Sequence, residues 1–194
     1  GPYYAANRGK LSTTRIFVED EYIRAAHGGT GYAKVGGNYA GSLRASQKAY
    51  ECECNDVLWL DAIEHKYIEE VGSSNAFFVI GDEVITAPLA GTILPGITRD
   101  SVLTLLREWG VPATERKLSI DEVIDAAKKG QLKEAFASGT AAVISPMGLL
   151  HYLGEEYVIN NREVGELSQK IYDTITGIQT GKIADTRGWT QRVI

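Results

Sequence analysis

Lys34 stands in a glycine-rich stretch, Gly28-Gly29-Thr30-Gly31-Tyr32-Ala33-Lys34-Val35-Gly36-Gly37-Asn38-Tyr39, where a tightly turned backbone can hold an amine in one place. A loop lysine is ordinarily a solvated cation. Its other chemistry is nucleophilic. Burial or a nearby charge lowers the ammonium pKa, and the free amine adds to a carbonyl to give a Schiff base. The acidic pair Glu69-Glu70 is a second candidate. In a strand these two carboxylates face opposite sides, so only one can enter a given pocket.

Other chemistries lack their residues. The glycine stretch has neither the GxxxxGK[ST] nor the GxGxxG spacing, which argues against a nucleotide loop. HExxH and GxSxG are absent. Cys52 and Cys54 fall in a predicted helix, where positions two apart point away from each other, so they read as ordinary thiols. His27, His65 and His151 show no ligand spacing and read as structural or surface residues.

The elements that must position these groups follow from pattern. Strands are expected over 14–18, 57–60, 67–71, 76–80, 84–86 and 115–118, and over 136–144 with an interruption at Ser138-Gly139-Thr140. Gly72-Ser73-Ser74-Asn75 and Gly81-Asp82 read as turns. Residues 20–26 read as a helical turn, 27–38 as a glycine loop, and 40–54 as helical. A helix is expected from Arg99 to Trp109, with Thr98 or Asp100 as its cap. Ser119-Ile120-Asp121-Glu122 is a capping box opening a helix that Gly130 stops. Leu167, Ile171, Ile175 and Ile178 form the stripe of a closing helix over 164–179. Helices and strands mix without strict alternation, which predicts an α+β or mixed α/β fold with mainly antiparallel sheets.

Bulk properties agree with a globular chain. Of 194 residues, 44% are hydrophobic and 23% charged, enough for a core without disulfides or a structural metal. A net charge of −5 argues against nucleic acid or an anionic membrane as a partner. No apolar run approaches the roughly 18 residues of a membrane span. Two closely spaced cysteines do not make a disulfide framework, so a reducing, cytoplasmic setting is expected.

Several ordered strings sharpen the reading. Lys34-Val35-Gly36-Gly37-Asn38-Tyr39-Ala40 is followed by Val57-Leu58-Trp59-Leu60-Asp61, then Glu69-Glu70-Val71-Gly72-Ser73-Ser74-Asn75. Ile93-Leu94-Pro95-Gly96-Ile97-Thr98-Arg99 and Ser138-Gly139-Thr140-Ala141-Ala142 complete the series. In this order they resemble the large domain of branched-chain amino acid aminotransferases, which are fold-type-IV pyridoxal 5′-phosphate enzymes. The resemblance implies mainly antiparallel sheets in a pseudo-barrel flanked by helices, and transfer of the amino group of L-leucine, L-isoleucine or L-valine to 2-oxoglutarate.

It also implies residue roles. Lys34 would hold the cofactor as a Schiff base and move the proton of the reaction. Glu70 would pair with the pyridine nitrogen and keep it protonated. Without the resemblance it would be an exposed strand acid. Tyr39 would bond the phenolic oxygen, where it could otherwise be a core aromatic. Ile97 and Thr98 would hold the phosphate at a helix start, a place compatible with Thr98 as a simple cap. Thr140 would add a phosphate contact and Ala141 a substrate-carboxylate contact, in a stretch that could otherwise be a glycine bulge. Ser73 replaces the threonine of many relatives and would hold the substrate or cofactor side.

The resemblance further implies branched-chain amino acids and 2-oxo acids as partners, a homodimer, and a small N-terminal domain that this sequence lacks. Residues 1–12 would be the end of an interdomain loop, in which Tyr3 would lie over the substrate, and 13–194 the pyridoxal-phosphate-binding domain. Alone, the piece is expected to bind cofactor weakly and turn over poorly. Ala142 and Ser145 stand where some mammalian relatives have a CxxC redox pair, so no thiol switch is expected there. The alternatives are another fold-type-IV enzyme, such as a D-amino-acid aminotransferase or aminodeoxychorismate lyase, and a non-catalytic isolated domain.

Overall fold

The computed structural model describes residues 11–191 and residue 193. Tyr3 and most of the expected interdomain loop lie outside the described residues. The strands are β1 (Thr14–Glu19), β2 (Asp56–Leu60), β3 (Ile68–Val71), β4 (Ser74–Ile80), β5 (Glu83–Thr86), β6 (Ala113–Glu115), β7 (Leu132–Gly139), β8 (Val143–Tyr152) and β9 (Glu155–Val158). The helices are α1 (Gly36–Gly41), α2 (Leu43–Glu51), α3 (Ile97–Glu108), α4 (Ile120–Lys128) and α5 (Glu166–Gln179).

The strand order is β3-β2-β1-β8-β7-β4, and β3 pairs again with β4, so six strands close into a ring. β5 and β6 extend it beyond β4, and β9 pairs with β8. Among the described residues the pairings β1–β2, β1–β8 and β5–β6 are parallel. The other strand pairings are antiparallel, as the mixed order of strands and helices predicts.

Strand alternation divides the core. Ile16, Val18, Leu58, Leu60, Ala76, Phe78, Ala135 and Ala137 share one buried cluster with Val123 and Ile124 of α4. The opposite faces turn toward helices. Phe77, Val79 and Phe136 pack on Leu105 and Leu106 of α3 and Ile171 and Ile175 of α5. Phe17, Val57 and Trp59 pack on Ala45 and Ala49 of α2. Burying one such large apolar side chain contributes about 1.5–3 kcal/mol. These three faces therefore fix where α2 and α3 stand, and the candidate site forms on the α2 side, against the ends of β2 and β3.

Local differences from the sequence reading have clear causes. Residues 20–26 are not helical, because Glu19 Oε1 accepts the Glu21 and Tyr22 N–H groups at 2.8 and 3.0 Å and turns the chain without a helix. α1 begins inside the expected glycine loop, two residues after Lys34. α3 starts at Ile97, its N-cap is Gly96, and no side chain caps it, so neither Thr98 nor Asp100 has the expected capping role. The expected strand 115–118 lies earlier, at Ala113–Glu115, where it pairs with β5. The expected interrupted strand 136–144 is a hairpin of two strands, with Phe136 opposite Pro146 and Gly139 opposite Val143. Of the expected capping box the N-cap bond forms, with Ser119 Oγ accepting the Glu122 N–H at 3.1 Å, while the Glu122 carboxylate accepts from the Arg116 guanidinium.

Candidate functional site

Between the α1–α2 segment and the 92–96 loop lies a cleft of about 250 Å³. Its walls include Arg24, Lys34, Asn38, Tyr39, Asp56, Trp59, Glu70, Ser73 and Leu94. Trp59 is its floor, fully buried, with its indole N–H donating to the Gly72 carbonyl at 3.0 Å. That bond, and the Gly72 N–H donating to the Val57 carbonyl at 2.7 Å, hold the β3–β4 turn against β2. Gly72 has φ +55°, and a Cβ there would overlap the Asp56 carboxylate, so only glycine fits.

The glycine stretch carries Lys34 to the cleft. Asn38 ties the stretch together: its amide donates to the Thr30 and Ala33 carbonyls at 2.9 and 2.8 Å, and its oxygen accepts the Thr30 hydroxyl at 2.7 Å. α2 behind it is pinned by Lys48, whose ammonium donates to the fully buried Glu19 at 2.9 Å. Lys34 itself is exposed, on the open side of the cleft. Its charge nonetheless reaches Glu70 and favours the ionised carboxylate there.

Glu70 is 2% exposed. β3 pairs it with Asn75 of β4. Its Oε1 accepts the Asn75 amide at 3.2 Å and the Leu94 N–H at 3.0 Å, and its Oε2 lies 3.3 Å from Arg24 Nε. The Arg24 approach is an ion pair that lacks hydrogen-bond alignment. Burial pushes the Glu70 pKa up to about 7, against the opposing pull of Arg24 and the Leu94 N–H. A buried acid poised near neutrality, in one cleft with an amine, is suited to pair with a protonatable ring nitrogen. Glu69 turns away, as strand alternation requires, and lines a neighbouring cavity with His27, Tyr67 and Thr92.

Lys34, Tyr39, Glu70 and Ser73 thus line one cleft. Tyr39 is 49% exposed rather than a core aromatic. Ile97, Thr98, Thr140 and Ala141 are not among its lining residues. Ile97 is 81% exposed, at the first turn of α3, where backbone N–H groups lack intrahelical acceptors. Asn75 connects this helix start to the cleft, since its amide donates to the Leu94 carbonyl at 2.9 Å and its oxygen packs on Gly96. Arg99 anchors α3 from below, donating to the Ala87 carbonyl at 2.9 Å and to Glu115 at 2.5 Å. Thr140 and Ala141 are exposed at the tip of the β7–β8 hairpin. That hairpin is no glycine bulge, and its next strand opens on Val143 at φ +62°, a strained conformation for a β-branched residue.

Sequence reasoning missed Arg24, Asp56 and Asn75 as members of the site. Arg24 carried one signal, a lone cation among Ile23, Ala25 and Ala26. The amine, acid and phenol, with free N–H groups nearby, form a donor set that suits a phosphorylated pyridine aldehyde.

Comparison with known proteins places this arrangement. The pattern of the amino-transferase class IV family matches residues 4–148. The chain is 56% identical over 193 residues to branched-chain-amino-acid aminotransferase 2 of Bacillus subtilis (strain 168), covering 100% of this chain and 52% of that protein. The crystal structure of the Escherichia coli branched-chain amino acid aminotransferase superposes with a TM-score of 0.81 at 29% identity, over 97% of this chain and 58% of that one. A T.th. branched-chain amino acid aminotransferase complexed with N-(5′-phosphopyridoxyl)-L-glutamate gives a TM-score of 0.78 at 26% identity, over 91% and 55%. The chain therefore spans about half the length of the curated relatives it matches.

Proposed function

Because the chain belongs to the class IV aminotransferase family, we propose that it is the pyridoxal-phosphate-binding part of a branched-chain amino acid aminotransferase. The observation that carries this is Lys34 and the buried Glu70 on the walls of one cleft, with Tyr39 between the glycine stretch and α2. The names of its relatives support branched-chain amino acids as the substrate class; L-leucine, L-isoleucine and L-valine would be the amino donors and 2-oxoglutarate the acceptor.

Pyridoxal phosphate would supply an aldehyde that condenses with amines and a ring that takes up electrons. Lys34 would hold the cofactor by its amine, then act as the base and acid that moves a proton at the reacting carbon. Glu70 would hold the ring nitrogen, with Asn75 and Leu94 fixing the carboxylate's direction. Tyr39 would donate from its phenol to the cofactor's ring oxygen. The Ile97 and Thr98 N–H groups and the Thr140 hydroxyl would take the phosphate, and Ala141 the substrate carboxylate. Ser73 would fix the substrate side of the ring. Trp59 would exclude water from the floor.

The proposal extends to a homodimer in which a small N-terminal domain, preceding residues 13–194, closes the open side where Lys34 and Tyr39 are exposed. Free Cys52 and Cys54 are compatible with a cytoplasmic setting. No helix among the described residues is long and apolar enough to cross a membrane.

The test is borohydride reduction of the protein with pyridoxal phosphate, followed by peptide mass analysis. The cofactor mass is expected on Lys34, and a near-visible band is expected to vanish in Lys34→Ala. A band that persists unchanged in that variant overturns the assignment. Amino transfer from L-leucine but not from D-alanine separates the branched-chain reading from a D-amino-acid aminotransferase.

A further inference from the structure

Arg24 is a buried cation that the roles above leave unexplained. Its side chain is 7% exposed. One terminal nitrogen donates to the Gly31 carbonyl at 3.2 Å and to the Thr92 carbonyl, and Nε faces Glu70 Oε2. Three separate segments thus meet on one guanidinium: the glycine stretch that leads to Lys34, the 92–96 loop that leads to α3, and β3. The Thr92 hydroxyl continues the chain of contacts to Glu69 at 2.5 Å. Lysine has no planar fork to reach all of these groups at once.

The two oxygens of Glu70 differ. Oε1 accepts two neutral donors, and Oε2 faces the Arg24 cation. Removing a charged partner from a buried carboxylate favours the neutral acid. The charged groups that act on Glu70 are Arg24, Glu69 of β3 and Lys34 of the glycine stretch, with Asp56 of β2 in the same cleft. Resting on the pyridoxal-phosphate reading, we infer that Arg24 is a positioning residue that keeps Glu70 ionised, so that the proton shared with the cofactor resides on the ring nitrogen rather than on the carboxyl. The balance is one proton: the Glu70 O–H bond breaks as the ring N–H bond forms, and Arg24 keeps its own protons. Burial alone works in the other direction, since it pushes Glu70 toward the protonated form.

The experiment uses the protein reconstituted with pyridoxal phosphate carrying ¹⁵N in the ring. The ring-nitrogen NMR shift is followed against pH in the wild type, Arg24→Gln and Arg24→Lys. The wild type is expected to show a protonated nitrogen at neutral pH. In Arg24→Gln the midpoint for loss of that proton is expected to fall by about one pH unit or more, tenfold in the equilibrium. Arg24→Lys, which keeps the charge but not the fork, is expected to lie between them. An unchanged midpoint in folded Arg24→Gln overturns the inference, as does an unprotonated nitrogen in the wild type. If Arg24→Gln does not fold, an unchanged midpoint in Arg24→Lys overturns it. Absence of a borohydride-trapped adduct on wild-type Lys34 defeats the parent reading instead, so the two failures are told apart.

Discussion

The Asn75 side-chain oxygen fills the space that a Cβ on Gly96 would need, while its amide spans Glu70 Oε1 and the Leu94 carbonyl. One amide thus ties the acid of the cleft to the start of α3. Gly96 has φ −68°, which any residue can adopt, so its smallness serves space and not backbone freedom. Gly96→Ala places a methyl onto Asn75 and should cost about 1–3 kcal/mol. Pairing it with Asn75→Ala should recover part of that cost, because the obstacle is gone. Denaturant melts of both single variants and the double variant measure this coupling, and strict additivity of the two costs would refute the contact.

Glu70 should also make stability fall as pH rises. Its folded pKa is raised from 4.5 to about 7, so between those values the native state holds a proton the unfolded chain has released. Stability then declines across that interval and levels above it, with a slope of at most about 1.4 kcal/mol per pH unit. Cofactor-free Glu70→Gln should show a shallower slope in melts from about pH 4.5 to 7. Glu69 and Asp56, which burial also pushes up, supply what remains. An identical slope in the variant would show that Glu70 does not titrate there.

These relationships were unequally legible in the sequence. Lys34 and Glu70 could be proposed because their neighbours form ordered strings, and the α5 stripe and the Ser119 box are local patterns that a helix needs wherever it packs. Arg24 could not, because its partners are distant in sequence, Thr92 and Glu70, and only ring closure through β3 and β4 brings them together. The start of α3 is hidden from the sequence for a related reason. Thr98 looks like a cap in isolation, but Gly96 takes that position because Asn75 occupies the space where a side chain would stand. At the β7–β8 hairpin the sequence predicts an interruption at Ser138-Gly139-Thr140 but not the chain reversal, because Thr140, Ala141 and Ala142 carry no strong turn signal. The parallel pairing of β1 with β8 joins segments more than 130 residues apart and leaves no local trace.

Asp61 should contribute the opposite sign at acid pH. Burial pulls its pKa up, but the Glu64, Tyr67, Lys66 and Ile63 N–H groups outweigh burial and hold it down, to about 2 from 3.8. A lowered folded pKa stabilises the native state above the unfolded value, and that contribution is lost as pH falls from about 4 to about 2. The side chain is partly exposed, so the amplitude is moderated by solvent. Melts over this range should show a steeper acid loss for the wild type than for Asp61→Asn. Equal acid limbs would mean that the four N–H bonds do not favour the charged form.

α5 depends on a cap supplied from another element. Its own N-cap, Gly165, has no side chain, and Glu134 of β7 fills the place. That carboxylate accepts the Leu167 N–H at 3.0 Å, the Ser168 N–H at 2.9 Å and the Ser168 hydroxyl at 2.7 Å. An anion there also meets the positive end of the helix dipole. A Cβ on Gly165 would overlap Glu134, so the glycine is what lets the acid approach. Glu134→Ala should therefore cost about 2 kcal/mol, and Ser119→Ala, which removes one neutral cap bond from α4, about 1 kcal/mol. Gly165→Ala should mimic Glu134→Ala by pushing the carboxylate away, and the two together should cost little more than either. Denaturant midpoints of the four variants check the ordering. A Gly165→Ala protein as stable as the wild type would show that the cap survives without the glycine.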